Sequence, residues 1–232
     1  AVTGDLLERN SAGVYVPKSL RDINQSKVSF EKSPINLSLI NSWDNFTRAN
    51  GAIGTSDSGH LWTTLGDGSL NISSNSARKS GGAKNTPQLG YLSTFQNANS
   101  KEIELISSCV TGDFQGALFL KDADNYMYAG FNQQNVQIKI KIAGVSSIFY
   151  SASLPISSRY RNTKIKSIFS LYQNSNGATD LIANIQIPSL SINQTIDMSA
   201  YFNVFDTFSP GIACESIFGG AIYGFSHKNL SK

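Results

Sequence analysis

The sequence is short of charge. Asp, Glu, Lys and Arg make up 15% of its 232 residues, and the net charge is +3, whereas charged residues average about 25% in globular proteins. A nucleic-acid-binding face needs clustered basic residues, so this composition speaks against nucleic acid as a partner. No apolar run reaches the roughly 18 residues of a membrane span, and none is predicted. Abundant Ser, Asn, Gly and Thr favour turns and strands, as in a β-rich extracellular or virion protein.

Cysteine and histidine are scarce as well. Cys109 and Cys214 are the only cysteines and lack Cys-x-x-Cys spacing, so thiols alone cannot build a metal site. We expect both to be small buried side chains, and the spacing leaves open a disulfide between them. His60 and His227 are the only histidines, and neither accompanies a Gly-x-Ser-x-Gly nucleophile motif. The sequence contains no nucleotide-binding fingerprint, and no cofactor is predicted.

Alternating apolar residues predict strands through most of the chain. In 136–142, Val136, Ile138, Ile140 and Ile142 share one face, and Gln137 with two lysines occupies the other; this period of two belongs to a half-buried strand. Segments 164–172 and 181–187 alternate similarly. Further strands are predicted at 103–110, 117–120, 126–131, 147–153 and 221–225, separated by the turn clusters 111–113, 122–125 and 174–177.

Many short strands without a long helix predict an all-β fold, an antiparallel two-sheet sandwich of the jelly-roll type. Residues 1–40 lack sustained periodicity and are interrupted by Gly4, Gly13, Pro17 and Pro34. We therefore expect an extended N-terminal arm or connector over 1–40, and the sandwich domain over 41–232.

Segment 44–62 carries a more specific pattern. An acidic-x-Phe-x-Arg element is followed by Gly-Thr and then by Gly-x-x-Trp, formed by Asp44, Phe46, Arg48, Gly54, Thr55, Gly59 and Trp62. With Ala77, the turn 121–126 and the closing segment 221–225, it resembles the concanavalin A-like, laminin-G-like sandwich domains of phage structural proteins and bacterial surface proteins. Segment 3–14 resembles the linker repeats that precede the tips of phage tail and fibre proteins.

This resemblance implies a concanavalin A-like jelly roll, and many members of the family bind carbohydrate. The motif also has a structural interpretation, in which Phe46 and Trp62 are core residues and the glycines serve turns. Arg48 would then hold Asp44 or Asp57 through a bidentate pair.

Two clusters are candidate glycan-binding sites. The turn after 120 brings together hydrogen-bonding groups and one ring for stacking: Asp122, Asp124, Asn125 and Tyr126. Its oxygens could also bind Ca²⁺, although full coordination of the ion needs more donors than this turn offers. The sequence therefore does not decide whether a metal binds here. A basic cluster containing Arg159 and Tyr160 could meet phosphorylated glycans. A polar hairpin turn and a lysine-protected strand edge are the structural alternatives.

The favoured function is a non-catalytic attachment module of a phage tail or fibre that binds a host-surface polysaccharide, located in the virion or otherwise extracellular. We expect it to act as a homo-oligomer beside other virion proteins. The first alternative is a decoration or connector domain that binds only virion proteins. The second is a polysaccharide-degrading enzyme, because Glu102 and Glu104 share one strand face; glycoside hydrolysis needs two carboxylates, but the third acidic position of sandwich glucanases is Ser107 here.

Overall fold

The computed structural model describes the strands Leu7–Arg9 and Tyr15–Pro17 and residues 40–97, 100–109, 114–154, 164–173, 180–215 and 220–230. Its strands, numbered along the chain, are β1 (Leu7–Arg9), β2 (Tyr15–Pro17), β3 (Ser42–Asp44), β4 (Gly51–Ala52), β5 (Thr63–Leu65), β6 (Ser69–Ile72), β7 (Ala77–Ser80), β8 (Gln88–Tyr91), β9 (Lys101–Ser108), β10 (Gln115–Leu120), β11 (Tyr126–Phe131), β12 (Asn135–Ile142), β13 (Val145–Ser153), β14 (Ile165–Gln173), β15 (Leu181–Ile187), β16 (Ile192–Asp197), β17 (Ser209–Cys214) and β18 (Ala221–Asn229). Among the described residues, single-turn 3₁₀ helices lie at Ser93–Phe95, Pro188–Leu190 and Ser199–Tyr201. Within this described part, no helix is long and apolar enough to cross a membrane.

The chain divides into two units, 1–39 and 40–232. In the first, β1 and β2 form a short antiparallel hairpin with Leu7 opposite Pro17. The rest of the predicted arm lies outside the described residues.

The second unit contains two antiparallel sheets. The seven-stranded sheet has the order β13-β12-β11-β10-β17-β8-β5. The nine-stranded sheet has the order β16-β15-β14-β9-β18-β7-β6-β4, with β3 also paired to β18. Neighbouring strands are often far apart in sequence, as in β17 between β10 and β8, so the chain repeatedly crosses from one sheet to the other.

The core lies between the two sheets. Alternate residues of β11 and β12, such as Ala129 and Ile138, pack in one cluster with Leu105, Phe169 and Ile185 of the nine-stranded sheet. Because side chains of a strand alternate between faces, a period-two sequence buries one complete face of each sheet. This confirms the predicted all-β, two-sheet sandwich. Cys109 and Cys214 are both buried, as expected, and burial raises the pKa of the Cys214 thiol to about 12.

The motif at 44–62, which resembles that of concanavalin A-like domains, surrounds the buried carboxylate of Asp44. Arg48 Nη1 and Nη2 donate to the two oxygens of Asp44 at 2.7 and 2.9 Å, as the bidentate pairing predicted. Trp62 Nε1 donates to Asp44 Oδ2 at 2.8 Å, and the Phe46 backbone N–H donates to Oδ1 at 2.8 Å. Four donors therefore satisfy a fully buried charge, and the motif's role in this structure is to hold its own loop against the sheet.

The β12–β13 hairpin contains a β-bulge. Ile138 pairs with Tyr150, whereas the next residue, Lys139, pairs with Ile148. Phe149 is the extra residue, and it packs with Tyr150 against the main core. The bulge thus lets two consecutive side chains face the interior.

Candidate functional site

The outer face of the seven-stranded sheet, which points away from the other sheet, carries a second cluster of buried residues. Met127 and Ala129 of β11 face the main core, and the intervening Tyr126 and Tyr128 point outward. Phe114 packs edge-on against Tyr128 with ring centroids 5.5 Å apart. This face is therefore built from aromatic and aliphatic side chains around the outward tyrosines.

Lysines of β12 lie over these tyrosines. Lys139 is paired with Tyr128 across the ladder and Lys141 with Tyr126. Lys139 Nζ lies 4.6 Å from the centroid of the Phe114 ring, and Lys141 Nζ lies 5.6 Å from that of Tyr126. A cation near an aromatic ring at these distances is attracted by the ring electrons.

Lys139 also forms an ion pair with Glu215. Its Nζ donates to both carboxylate oxygens at 2.7 Å, and Tyr128 Oη donates to Glu215 Oε1 at 2.6 Å. Burial and the neighbouring carboxylate raise the pKa of Tyr128 far above its usual value, so its hydroxyl remains protonated and donates. The three groups form a preorganised polar network with spare capacity, because an ammonium has three N–H groups and a carboxylate can accept about four hydrogen bonds.

The backbone positions Glu215 directly after β17. Its N–H donates to Phe114 O at 3.0 Å, which continues the β10–β17 ladder by one step beyond Cys214. The Glu215 side chain is 4% exposed and that of Lys139 is 20% exposed. The Lys139 side chain therefore lies closer to the solvent than the Glu215 carboxylate, which it shields.

A cavity of about 210 Å³ opens beside this network. We call it the Lys139 pocket. Hydroxyl, amide, ammonium and carboxylate groups occur in its lining together with two isoleucines: Asn85, Tyr128, Lys139, Ile140, Ser146, Ser147, Ile148 and Glu215.

One wall of the pocket comes from the loop after β7. The buried Lys79 holds this loop, because its Nζ donates to Ala83 O at 2.7 Å and to Thr86 O at 2.6 Å. Asn85 lies between these anchors with φ of +63°, in the left-handed region that asparagine tolerates. The loop geometry thus fixes where the Asn85 backbone sits beside the pocket.

The predicted turn residues lie at the β10–β11 connection. Asp122 Oδ1 accepts hydrogen bonds from the backbone N–H groups of Asp124 and Asn125, both at 2.9 Å. Asn125 Nδ2 donates to both Asp122 oxygens, and Asn125 Oδ1 accepts from the Ala143 N–H at 3.1 Å. These contacts stabilise the turn and join it to the β12–β13 turn.

Tyr126 and Asp124 differ in accessibility. The Tyr126 side chain is buried beneath Lys141, so its ring does not offer an open stacking face. Asp124 is exposed, with Oδ1 3.5 Å from Lys141 Nζ. Arg159 and Tyr160 lie outside the described residues. Glycan binding by either cluster stays a prediction.

Sequence reasoning missed the members of the Lys139 pocket. It placed Lys139 on the polar face of its strand, as the structure does, but nothing local pairs it with Glu215, 76 residues later. The available signal was a lone acid directly after an apolar strand, because such a residue is seldom buried without a cation.

Glu102 and Glu104, the carboxylates of the hydrolase alternative, lie on the outer face of the nine-stranded sheet. Glu102 Oε1 is 2.6 Å from Lys228 Nζ, and Glu104 Oε2 is 2.7 Å from Lys166 Nζ. Both are partly exposed partners of neighbouring lysines. Among the residues that the structure describes, no group of three or more His, Cys, Asp and Glu side chains is arranged to hold a metal ion.

A third polar region is buried where β9 begins and β18 ends. Lys101 is fully buried, with Nζ 2.5 Å from Asn97 Oδ1, 3.4 Å from Asn229 Oδ1 and 4.8 Å from the centroid of Phe208. Desolvation lowers the pKa of Lys101 to about 8. Burial likewise lowers the pKa of His227 to about 3, and its ring contacts Ser42 Oγ and Asn229 Oδ1, each at 3.2 Å.

Solved structures share this architecture. The VIP36 exoplasmic/lumenal domain, in its Ca²⁺/Man2-bound form, matches 84% of this chain and 91% of its own length at 9% identity, with a TM-score of 0.53. A Bacillus subtilis protein of unknown function with a galectin-like fold matches 72% of this chain and 89% of its own at 10% identity, with a TM-score of 0.50. Both likenesses agree with the two-sheet sandwich described above. At such low identity the likeness concerns the fold alone. No protein-family model and no curated sequence matches the chain.

Proposed function

We propose that this chain is a non-catalytic glycan-binding module and that the Lys139 pocket receives one sugar ring. The observation that carries the proposal is the pairing of Lys139 and Glu215 at the wall of a small cavity. A sugar hydroxyl is both donor and acceptor, and this pair offers both functions without adding net charge. Charge-assisted hydrogen bonds of this kind are about twice as strong as neutral ones.

The size and lining of the pocket support the same ligand class. Its volume of about 210 Å³ is below the roughly 300–1,000 Å³ typical of pockets for drug-sized ligands, so it suits a single ring. Ile148 supplies apolar surface for the C–H groups of a sugar, while Asn85 and Ser146 add further hydrogen-bonding groups. The VIP36 domain, which shares the fold, was solved with Ca²⁺ and Man2.

A glycan array probed with a multivalent form of the protein tests the proposal, because one small pocket gives weak binding that avidity amplifies. We expect binding to a restricted set of glycans and no new reducing ends after prolonged incubation. Silence across bacterial polysaccharides contradicts glycan binding, and released reducing ends contradict the non-catalytic role.

A matched pair of asparagines tests the location. Asn85→Gly removes the pocket amide while keeping the left-handed backbone, and Asn75→Gly makes the same change at an exposed residue with φ of +55° in the β6–β7 turn. We expect Asn85→Gly to weaken binding by roughly threefold to tenfold, since one hydrogen bond contributes about 1 kcal/mol. Equal affinity in the two variants excludes the Lys139 pocket as the site.

We propose further that the glycan belongs to a bacterial surface and that the chain is an attachment part of a phage tail or fibre. The resemblance of 3–14 to tail-fibre linker repeats supports this, together with the low charge and the abundance of hydroxyl and amide side chains. Multivalent protein should bind intact cells of the host and lose this binding after periodate oxidation of the surface glycans. Binding that survives oxidation would favour a protein partner, as in the decoration or connector alternative.

A further inference from the structure

The loop that brings Asn85 to the Lys139 pocket, residues 81–87, has little apolar anchorage of its own. Residues 81–85 are all exposed, and the loop begins with Gly81 and Gly82, both at positive φ. A segment with few buried apolar contacts has low local stability and moves readily. Polar contacts therefore have to hold Asn85 at the pocket wall.

A buried lysine supplies the first of these contacts. The Lys79 side chain is 0% exposed, and its strand β7 belongs to the nine-stranded sheet, behind the sheet that carries Lys139. An ammonium has three N–H groups, and three oxygens lie near Lys79 Nζ: Ala83 O at 2.7 Å, Thr86 O at 2.6 Å and Asp67 Oδ1 at 3.5 Å. A buried charge is costly unless it is hydrogen-bonded, and here its partners belong to the loop and to the β5–β6 turn.

The β5–β6 turn also holds the loop directly. Asp67 Oδ2 accepts the Ala83 N–H at 2.8 Å, and the Ala83 N–H together with Lys79 holds the pKa of Asp67 below its usual value. The two backbones lie in close contact, because a Cβ on Gly82 would overlap the carbonyl oxygen of Asp67. Glycine at this position therefore lets the turn and the loop pack backbone against backbone.

The clamped segment is itself a tight turn from Ala83 to Thr86, in which the Thr86 N–H donates to Ala83 O at 3.4 Å. Asn85 is the third residue of this turn, where a positive φ favours glycine or asparagine. The two carbonyls that Lys79 binds are the two ends of the turn. Asn85 therefore lies between two fixed points.

We propose that Lys79 and Asp67 are positioning residues for the Lys139 pocket, which hold Asn85 where its amide meets a bound sugar. Their role rests on the proposed function, because Asn85 is the pocket group through which they act. Neither residue is among those that line the pocket. The clamp thus makes the β5–β6 turn a determinant of specificity, although no group of that turn touches the sugar.

The clamp is tested first without any ligand. Nitrogen relaxation measured by NMR gives backbone order parameters for residues 83–85. We expect about 0.85 in the wild-type chain and about 0.6 or less in Asp67→Ala and in Lys79→Met. Wild-type order parameters in Asp67→Ala overturn the clamp, and this variant decides the matter alone if Lys79→Met does not fold.

Asp206→Ala is the matched control. Asp206 Oδ1 likewise accepts a backbone N–H, that of Thr207 at 2.8 Å, and a lysine, Lys121 Nζ at 2.7 Å. Neither Asp206 nor Lys121 lines the pocket. We expect the order parameters of residues 83–85 to be unchanged in this variant, and a loss equal to that in Asp67→Ala overturns the clamp.

The second measurement is the affinity for the glycan that gives the strongest array signal, titrated by calorimetry. We expect Asp67→Ala to weaken binding about threefold, and Asp67→Ala with Asn85→Gly to bind no more weakly than Asn85→Gly alone, because effects that pass through one residue are not additive. Asp67→Asn keeps an oxygen for the Ala83 N–H and should recover most of the loss. Additive losses, or an equal loss in Asp206→Ala, overturn the positioning role.

The two measurements separate this role from the proposed function. A wild-type chain that binds no glycan overturns the proposed function, while the order parameters still decide whether the clamp holds the loop. Wild-type protein and Asp67→Ala that bind the same glycan equally well overturn the positioning role alone.

Discussion

Lys139 and Lys101 are two lysines that the sandwich holds in opposite ways. Lys139 faces a carboxylate beside an open pocket on the outer face of one sheet. Lys101 is fully buried, near amide oxygens and the Phe208 ring. A buried charge is costly unless it is paired and hydrogen-bonded. Lys139 is ion-paired with Glu215, whereas burial among amide oxygens and the Phe208 ring lowers the pKa of Lys101 to about 8.

Removing the charge at Lys139 should have the largest effect. Lys139→Met leaves Glu215 buried without its cation, and we expect the free energy of unfolding to fall by about 3 kcal/mol. Urea unfolding at neutral pH measures the loss.

Two variants control this prediction. Combining Lys139→Met with Glu215→Gln should recover most of the loss, because no uncompensated charge remains. Lys141→Met, whose lysine faces the exposed Asp124 at 3.5 Å, should cost less than about 1 kcal/mol. Equal losses at positions 139 and 141 would remove the distinction between the two lysines.

The loss of stability between pH 6.5 and pH 5 should come next in size, at about 2 kcal/mol. The pKa of His227 falls from 6.5 in the unfolded chain to about 3 in the fold, with Lys101 and His60 as the neighbouring charged or titratable groups. Between these values the unfolded chain binds more protons, so this contribution is complete above pH 6.5 and is lost as the pH falls towards 3. The slope reaches about 1.4 kcal/mol per pH unit.

His227→Gln should flatten this acid limb. Urea unfolding of both proteins from pH 7 to pH 4 gives the two slopes. An unchanged slope in the variant would show that other groups carry the acid sensitivity.

The smallest effect at neutral pH is expected from replacing Lys101, because its pH-dependent contribution falls in an alkaline window. Its pKa is about 8 in the fold and 10.5 in the unfolded chain, so the unfolded chain binds more protons between these values. Stability should therefore rise with pH from 8 to 10.5. Lys101→Met should lower this rise relative to wild-type protein and change stability at pH 7 by only about 1 kcal/mol. If the free energy of unfolding rises equally in the two proteins between pH 8 and pH 10.5, Lys101 is not the group responsible for the rise.

The sequence was sufficient to predict the strands that alternate cleanly. Segments 126–131 and 181–187 have the observed bounds of β11 and β15, because one face of each is apolar throughout. β17 was not predicted, since Pro210 and Gly211 indicate a turn. Pro210 is accommodated because the pairing of β17 with β8 begins only at Gly211.

The candidate site could not be found from local pattern. Glu215 meets Lys139 only because β17 inserts between β10 and β8 and ends beside the outer face of β11. Residues 122–126 are close in sequence and were visible for that reason, and their side chains chiefly stabilise a turn. Local sequence is enough to identify residues that stabilise a turn. A site whose residues come from several strands can be identified only once the topology of the sheet is known.

The extra residue in the β12–β13 hairpin adds an aromatic side chain to the core without changing the pairs on either side of it. Deleting Phe149 would leave Tyr150 opposite Ile138 and Ile148 opposite Lys139, so the ladder would become regular and the same residues would stay on the pocket side. Homologous chains that lack this residue should therefore keep the pocket face and lose only part of the core packing.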